Sequence, residues 1–126
     1  MGKIEQSFTK LVPNQGRRRV PRRGIHKKIG LLFKGMYNIC FGYEIGEGGM
    51  LVDSTEPLSI GHKLVLTIRI PGSIEAVSLA SVVYVKEPST PDDKVKYGVS
   101  FENVDFEVKR QIRNFVASNT LKANSV

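Results

Sequence analysis

The chain has 126 residues, of which 40% are hydrophobic and 25% are charged. This length and composition are typical of one soluble globular domain, so we expect a single core with at most short tails. The one cysteine, Cys40, excludes an intramolecular disulfide, and no apolar run approaches the roughly 20 residues of a membrane span. Without a signal-peptide pattern at the N-terminus, the sequence predicts a cytoplasmic location.

The positive charge is confined to the N-terminal quarter of the chain. Residues 1–30 contain nine Lys or Arg and one acid, whereas the remaining residues contain ten basic and eleven acidic side chains. Five of the arginines lie within residues 17–23, RRRVPRR. Such a run indicates a discrete anion site or an arm, with a solvated tail as the alternative. Arginine favours the first interpretation, because its planar fork makes bidentate contacts with phosphate or guanine and lysine does not.

Residues 1–16 show no clear period and end in the turn-like sequence PNQG, so we predict an N-terminal tail there. From about Ile29 the pattern indicates β-structure. Residues 63–70, KLVLTIRI, alternate strictly between apolar and other positions, which is the period of a strand half-facing a core. The predicted strands cover residues 29–37, 38–45, 49–54, 63–70, 77–85 and 94–101. Short strands separated by glycine turns suggest a small antiparallel barrel or sandwich.

A helical period replaces the strand period after Asn103, which is a plausible N-cap. The apolar positions that follow share one helix face: Val108, Ile112, Phe115 and Val116. We therefore predict a surface helix from about Val104 to Ser118, packed on the β-structure through one apolar stripe. Residues 121–126 are predicted to be a C-terminal tail.

The inventory of reactive side chains does not favour an enzyme. His26 and His62 are the only histidines, each is isolated, and no Cys/His cluster has metal-ligand spacing. The glycine-rich residues 46–50, GEGGM, lack the Lys-Ser/Thr of a phosphate-binding P-loop, so a tight turn is the simpler interpretation. Cys40 lies in an apolar stretch, where a buried thiol is expected. The sequence thus predicts no catalytic residue, no metal ligand and no cofactor.

The order of these features resembles the PilZ domain family, the bacterial receptor module for cyclic di-GMP, over about residues 17–118. That family has an R-x-x-x-R motif just before a six-stranded antiparallel barrel, a [D/N]-x-S-x-x-G motif on the barrel surface, and a closing C-terminal helix. Arg18 and Arg22 match the first motif, and Arg19 and Arg23 match it in a second register. The sequence EIGEGG aligns with the second motif, with Glu44 in the Asp/Asn place, and YGVSF at 97–101 is similar to the last strand of the family.

The resemblance implies an all-β fold with one C-terminal helix, a six-stranded antiparallel PilZ-like β-barrel, in a domain over residues 17–120. It also implies that cyclic di-GMP is held by the arginine-rich arm against the barrel, with output to an unidentified protein partner. The implied ligand-binding residues are Arg17, Arg18, Arg19, Arg22, Arg23, Glu44, Gly46 and Gly49. Gly46 stands where the family has serine. We therefore expect Gly46→Ser to add a hydrogen bond worth up to about 1 kcal/mol, provided that the backbone tolerates a Cβ.

Two other functions remain open at this point. Some PilZ domains have lost the nucleotide site and act as protein-interaction modules in pilus or motility machinery, and the altered second motif fits that class. A small barrel with a basic arm can also bind single-stranded nucleic acid. The strands disfavour this last class, because they carry few basic residues and no repeated aromatic platform.

Overall fold

A computed structural model describes residues 21–125, with side chains described as far as residue 118. The barrel is closed and antiparallel, in the strand order β1-β2-β3-β6-β5-β4. The strands are β1 (Arg22–Phe33), β2 (Met36–Gly46), β3 (Gly49–Val52), β4 (Lys63–Ile70), β5 (Ile74–Lys86) and β6 (Lys96–Glu102). One helix, α1 (Phe106–Ser125), follows the last strand. The predicted six-stranded PilZ-like barrel with one C-terminal helix is confirmed.

The barrel interior is filled by alternate residues of the strands. On β4 the four positions predicted to face the core are all buried: Leu64, Leu66, Ile68 and Ile70. The strands β1, β5 and β6 add Leu31, Ile74 and Val99 to the same core. The period-two pattern of residues 63–70 therefore identified the inward face of this strand correctly.

A tight turn at Lys34 and Gly35 corrects the expected first strand. Both residues have positive φ angles, 52° and 77°, as a two-residue hairpin turn of type I′ requires. Residues 29–37 are therefore not one strand but the end of β1, the turn and the start of β2. The turn at Pro71 and Gly72 is confirmed, since Ser73 N donates to Ile70 O at 2.9 Å and Gly72 has a φ of 75°.

Strand β1 begins at Arg22 rather than near Ile29, so the last two arginines of the run belong to the barrel. A bulge between Gly24 and Lys27 shifts the pairing with β2, and His26 adopts a φ of 48° there. The bulge interrupts the alternation of inward and outward side chains. The polar sequence RRGIHKK therefore showed no strand period.

The cap of the helix lies two residues later than predicted, and the helix runs further than expected. Asp105 is the N-cap residue, because its carbonyl oxygen accepts the bond from Lys109 N at 3.0 Å, while Asn103 has a φ of 54°. Ile112 and Val116 are buried, and the helix packs against β5, β2 and β1. Residues 121–125, predicted to be a tail, form its last turn. Within residues 21–125, no helix is both long and apolar enough to cross a membrane.

Candidate ligand-binding trough

A shallow trough of about 230 Å³ lies on the outer wall of the barrel where the ends of several strands meet. Its rim and walls carry the side chains Arg22, Glu44, Val83, Tyr84 and Ser100. Its floor is formed largely by the glycines 46, 48, 49 and 98 together with Leu51. We call this feature the trough. It takes residues from five strands, so it exists only when β1, β2, β3, β6 and β5 are paired side by side.

Neighbouring atoms leave no room for a side chain at three of the four glycines of the trough. A Cβ on Gly49 would collide with the carbonyl group of Val99, and a Cβ on Gly98 would collide with the ring of Tyr84. A Cβ on Gly46 would lie 2.9 Å from Pro21 O and 3.2 Å from Arg22 Cγ. Glycine at these three positions is therefore needed for the close approach of neighbouring groups.

Arg22 and Glu44 face each other across one rim of the trough. Arg22 pairs with Gly46 in the β1–β2 ladder and Gly24 pairs with Glu44, which brings the two side chains onto the same outer face. Arg22 Nη1 lies 3.1 Å from Glu44 Oε1, with 45% and 37% of the side chains exposed. The hydrogen bond with Glu44 raises the pKa of the Arg22 guanidinium, against the opposing effect of burial, and a hydrogen bond with Tyr84 adds to it. The rim thus offers a fixed cation and an acceptor carboxylate side by side.

Arg23 points away from the trough, because successive residues of a strand face opposite sides. Its Nη1 donates to Phe115 O at 2.8 Å, and its guanidinium carbon lies 3.9 Å from the centroid of the Phe115 ring. Glu47, inside the EIGEGG sequence, is bound by Arg113 of α1 with distances of 2.6 Å and 3.3 Å. The Arg113 hydrogen bond lowers the pKa of Glu47. Both sequence motifs are therefore connected to the C-terminal helix.

The trough brings together four of the residues named from the sequence, namely Arg22, Glu44, Gly46 and Gly49. Arg23 is described but would have to leave Phe115 to reach it. Arg17, Arg18 and Arg19 lie outside the described residues. Sequence reasoning missed the far wall, which consists of Val83, Tyr84, Gly98 and Ser100. The one available signal was Gly98, since a glycine inside a strand pattern indicates close approach of another group.

A second cleft, of about 560 Å³, opens beside the buried carboxylate of Asp53. The two carboxylate oxygens of Asp53 accept hydrogen bonds from Phe41 N and from the Tyr43 hydroxyl, each at 2.8 Å. Burial, together with the bond to Asp53, raises the pKa of Tyr43 to about 12, and burial raises the pKa of Cys40 to about 12. The thiol of Cys40 and the phenol of Tyr43 therefore stay protonated at neutral pH. In the part of the chain described, no three His, Cys, Asp or Glu side chains could hold a metal ion.

Comparison with known proteins assigns the fold. A sequence profile described as the PilZ domain matches residues 17–118. The solved Bacillus subtilis inhibitor of motility, MotI/DgrA, is similar with a TM-score of 0.72 and 19% identity over 84% of this chain and 52% of that chain. The PilZ domain of Escherichia coli YcgR, solved with c-di-GMP, is similar with a TM-score of 0.68 and 18% identity over 86% of this chain and 95% of that chain.

A third structure, of Borreliella burgdorferi PlzA in complex with c-di-GMP, has a TM-score of 0.60 and 18% identity, covering 87% of this chain and 45% of that chain. The chain therefore spans about half the length of MotI and PlzA, and nearly all of the YcgR domain. At these identities the likeness shows the fold alone. No curated protein matches the chain.

Proposed function

We propose, because this chain belongs to the PilZ domain family, that it is a receptor for cyclic di-GMP and binds this nucleotide in the trough. PilZ domains are receptor and effector modules rather than enzymes. The observation that carries the proposal is the convergence of the Arg22 guanidinium and the Glu44 carboxylate at one rim of the glycine-lined trough. Two of the similar structures, YcgR and PlzA, contain c-di-GMP, which supports the same ligand class for this chain.

The chemistry of the rim is complementary to a guanine base. Guanine presents O6 and N7 as a pair of acceptors, which one arginine fork binds bidentately. It presents N1–H and N2–H₂ as donors, which a carboxylate accepts. Arg22 would take the first edge and Glu44 the second, while the glycine floor would admit the sugar-phosphate ring. Arg17, Arg18 and Arg19 are proposed to bind the phosphates and the second guanine, since cyclic di-GMP carries two negative charges.

The ligand must first replace the ion pair between Arg22 and Glu44. Both side chains are well exposed, at 45% and 37%, so the pair contributes only about 0–1 kcal/mol to the free form. A hydrogen bond to a charged group contributes about 1.5–3 kcal/mol. Exchanging one exposed pair for two charge-assisted contacts with guanine is therefore favourable. The free state keeps the two groups oriented, which lowers the entropy lost on binding.

We propose that the output is a change in the position of α1, read by an unidentified protein partner in the cytoplasm. Arg22 and Arg23 are neighbours on β1, with one on the trough and the other on Phe115 of the helix. Glu47, between the trough residues Gly46 and Gly48, connects the turn after β2 to Arg113. A ligand that moves either strand end would therefore change the seating of the helix. The likeness to an inhibitor of motility supports a motility protein as the partner.

The test is calorimetric titration of the full chain with cyclic di-GMP, with GTP, linear pGpG and an oligonucleotide as competitors. Arg22→Ala and Arg18→Ala are each expected to weaken binding by at least about 1.5 kcal/mol, because each removes a charge-assisted contact. Lys3→Ala and Lys10→Ala should leave the affinity unchanged.

Arg69→Ala is the matched control, since Arg69 also forms an exposed ion pair, at 3.0 Å from Glu75, but outside the trough. An equal loss in all the variants would mean a diffuse polyanion site. Such a site would also rank ligands by charge and weaken steeply with salt.

A second candidate function is a PilZ module that binds a protein and no nucleotide. The observation that favours it is Gly46, which lacks the serine hydroxyl of the family motif and has no room for a Cβ beside Pro21. Absence of any heat signal with cyclic di-GMP, in a protein that melts cooperatively, would favour this function.

A further inference from the structure

An apolar patch bracketed by lysines lies on the outer wall of the barrel, on the strands β1, β2 and β4. Tyr37 pairs with Leu32 and Ile39 pairs with Gly30 across β1 and β2, and Leu32 pairs with Val65 of β4. Their side chains point outwards: Leu32 is 38% exposed, Tyr37 58% and Ile39 55%. We call Leu32, Tyr37, Ile39 and Val65 the hairpin patch. None of them lines the trough.

The patch is continuous rather than a set of scattered side chains. The Tyr37 ring lies over Gly30, so close that a Cβ on this glycine would collide with it. Tyr37 therefore covers the space that the absent side chain of Gly30 leaves beside Ile39. The apolar surface continues across β4 to Val77 and Leu79 of β5, which are 69% and 40% exposed. A contiguous exposed apolar surface of this kind marks an interaction site more often than isolated exposed residues do.

The charge around the hairpin patch has one sign. Residues 24–43 contain Lys27, Lys28 and Lys34 and no Asp or Glu. Lys28 precedes the patch on β1 and Lys34 lies in the turn beyond it, and both are exposed. On β4 the basic residues Lys63 and Arg69 are already paired with Glu102 and Glu75. Among the side chains of residues 21–118, no acid is paired with Lys28 or Lys34, so the β1–β2 hairpin offers positive charge at both ends of its apolar patch.

We propose that the hairpin patch is a docking surface for an acidic amphipathic helix of a partner protein. The barrel is closed, so this wall presents side chains and not a free strand edge, and a partner must bind by packing. The distance along β1 from Lys28 to Lys34 is about 20 Å. A helix of about 13 residues covers that length, with apolar side chains on Leu32, Tyr37 and Ile39 and an acid near each lysine.

Two other occupants fit the patch less well. In a symmetric pair of copies the same surface meets itself, which would bring lysines of one hairpin against those of the other. Insertion into a membrane needs projecting side chains, whereas the Tyr37 ring lies flat on β1 over Gly30. The acidic helix satisfies both the apolar centre and the basic ends. This inference does not depend on nucleotide binding in the trough.

The experiment uses the full chain, labelled with ¹⁵N, and a synthetic helical peptide of about 14 residues with a leucine stripe and glutamate flanks. A peptide with glutamine in place of glutamate, and vesicles containing phosphatidylglycerol, are the comparison probes. We expect the acidic peptide to shift the amide signals of residues 28–39 and 63–69 and not those of the trough. The glutamine peptide should bind at least about fivefold more weakly, because it lacks the charges that face Lys28 and Lys34.

Ile39→Glu should weaken binding of the acidic peptide at least about tenfold, because it places a like charge in the apolar centre. Ile60→Glu is the matched control, since Ile60 is 66% exposed and lies outside the patch, and it should bind like the wild type. Lys28→Glu gives an independent test at an exposed charged side chain, and a loss of affinity is expected there too.

Three results would overturn the proposal: no binding of the acidic peptide by the wild type, equal loss in Ile39→Glu and Ile60→Glu, or unchanged affinity in Lys28→Glu. Preferential binding of the vesicles, lost in Ile39→Glu, would assign the patch to a membrane surface instead. A dimer in sedimentation that Ile39→Glu dissociates would assign it to a second copy.

Discussion

Gly46→Ser restores the serine of the family's second motif, and the structure reverses the result expected from the sequence. The sequence predicted tighter binding, by up to about 1 kcal/mol, if the backbone accepts a Cβ. Gly46 is not among the glycines with positive φ, so its backbone conformation would accept serine. Space is the obstacle: the new Cβ would lie 2.9 Å from Pro21 O and 3.2 Å from Arg22 Cγ. The first of these atoms is backbone and cannot rotate away.

The cost follows from what must move. Gly46 pairs with Arg22, so relief of the contact separates the start of β1 from the end of β2 and displaces the arginine proposed to bind guanine. Overpacking of this kind costs about 1–3 kcal/mol. For a domain of this size, that lowers Tm by roughly 3–12 °C. We therefore expect Gly46→Ser to melt earlier and to bind cyclic di-GMP more weakly.

Thermal melts and calorimetric titration of Gly46→Ser and Gly48→Ser form a matched pair. A Cβ on Gly48 would meet nothing within 4 Å, and its φ is not positive, so this variant should melt like the wild type. The reasoning is refuted if Gly46→Ser has the same Tm as Gly48→Ser and binds the nucleotide more tightly than the wild type. Such a result would mean that the backbone at Pro21 moves aside at little cost and that the serine hydroxyl increases the affinity for the nucleotide.

Three further predictions follow from the trough and the second cleft. Glu44→Gln should weaken cyclic di-GMP binding by about 1–2 kcal/mol, roughly five- to thirtyfold, without changing Tm, because an amide accepts two N–H groups less strongly than a carboxylate. Titration beside Glu75→Gln checks this, and wild-type affinity would remove the trough as the ligand site. The Tyr43 phenol, with its pKa raised to about 12, keeps its proton in the folded protein after the unfolded chain has lost it near pH 10. The free energy of unfolding should therefore fall from about pH 10 to pH 12, and urea titrations should find a smaller fall in Tyr43→Phe, where Cys40 still contributes. Cys40, with its pKa raised to about 12, should react with a disulfide reagent at pH 8 more than about a hundredfold more slowly in the folded than in the unfolded protein. A fast reaction of the folded protein would show that the thiol is accessible.

Local periodicity in the sequence predicted the parts of the fold that obey a simple period. Residues 63–70 alternate strictly, and their four apolar positions fill the core. The apolar positions of α1 recur with an equally regular helical period, and Ile112 and Val116 are buried as expected. Features that break the period were missed. The bulge at His26 hid the first half of β1, and the turn at Lys34 places a residue other than glycine at positive φ.

The candidate site divides in the same way. Arg22, Glu44, Gly46 and Gly49 come from motifs that are continuous in the sequence, and they lie together in the trough. Tyr84 depends on the register between β5 and β6, which shifts at a bulge between Val82 and Tyr84. A long-range register is set by barrel closure and not by neighbouring residues, so the far wall could not be read from the sequence.

The assembly of the trough from residues 22 to 100 has a consequence for the lifetime of the protein. A partly unfolded chain has no binding site, so a bound nucleotide stabilises the whole barrel and not one loop. At a ligand concentration of 100 times Kd, this linkage adds about 2.7 kcal/mol to the free energy of unfolding. Proteases that cleave through global unfolding would then degrade the free receptor about a hundredfold faster than the occupied one. On the function proposed above, cyclic di-GMP would control how much of the protein persists as well as its conformation.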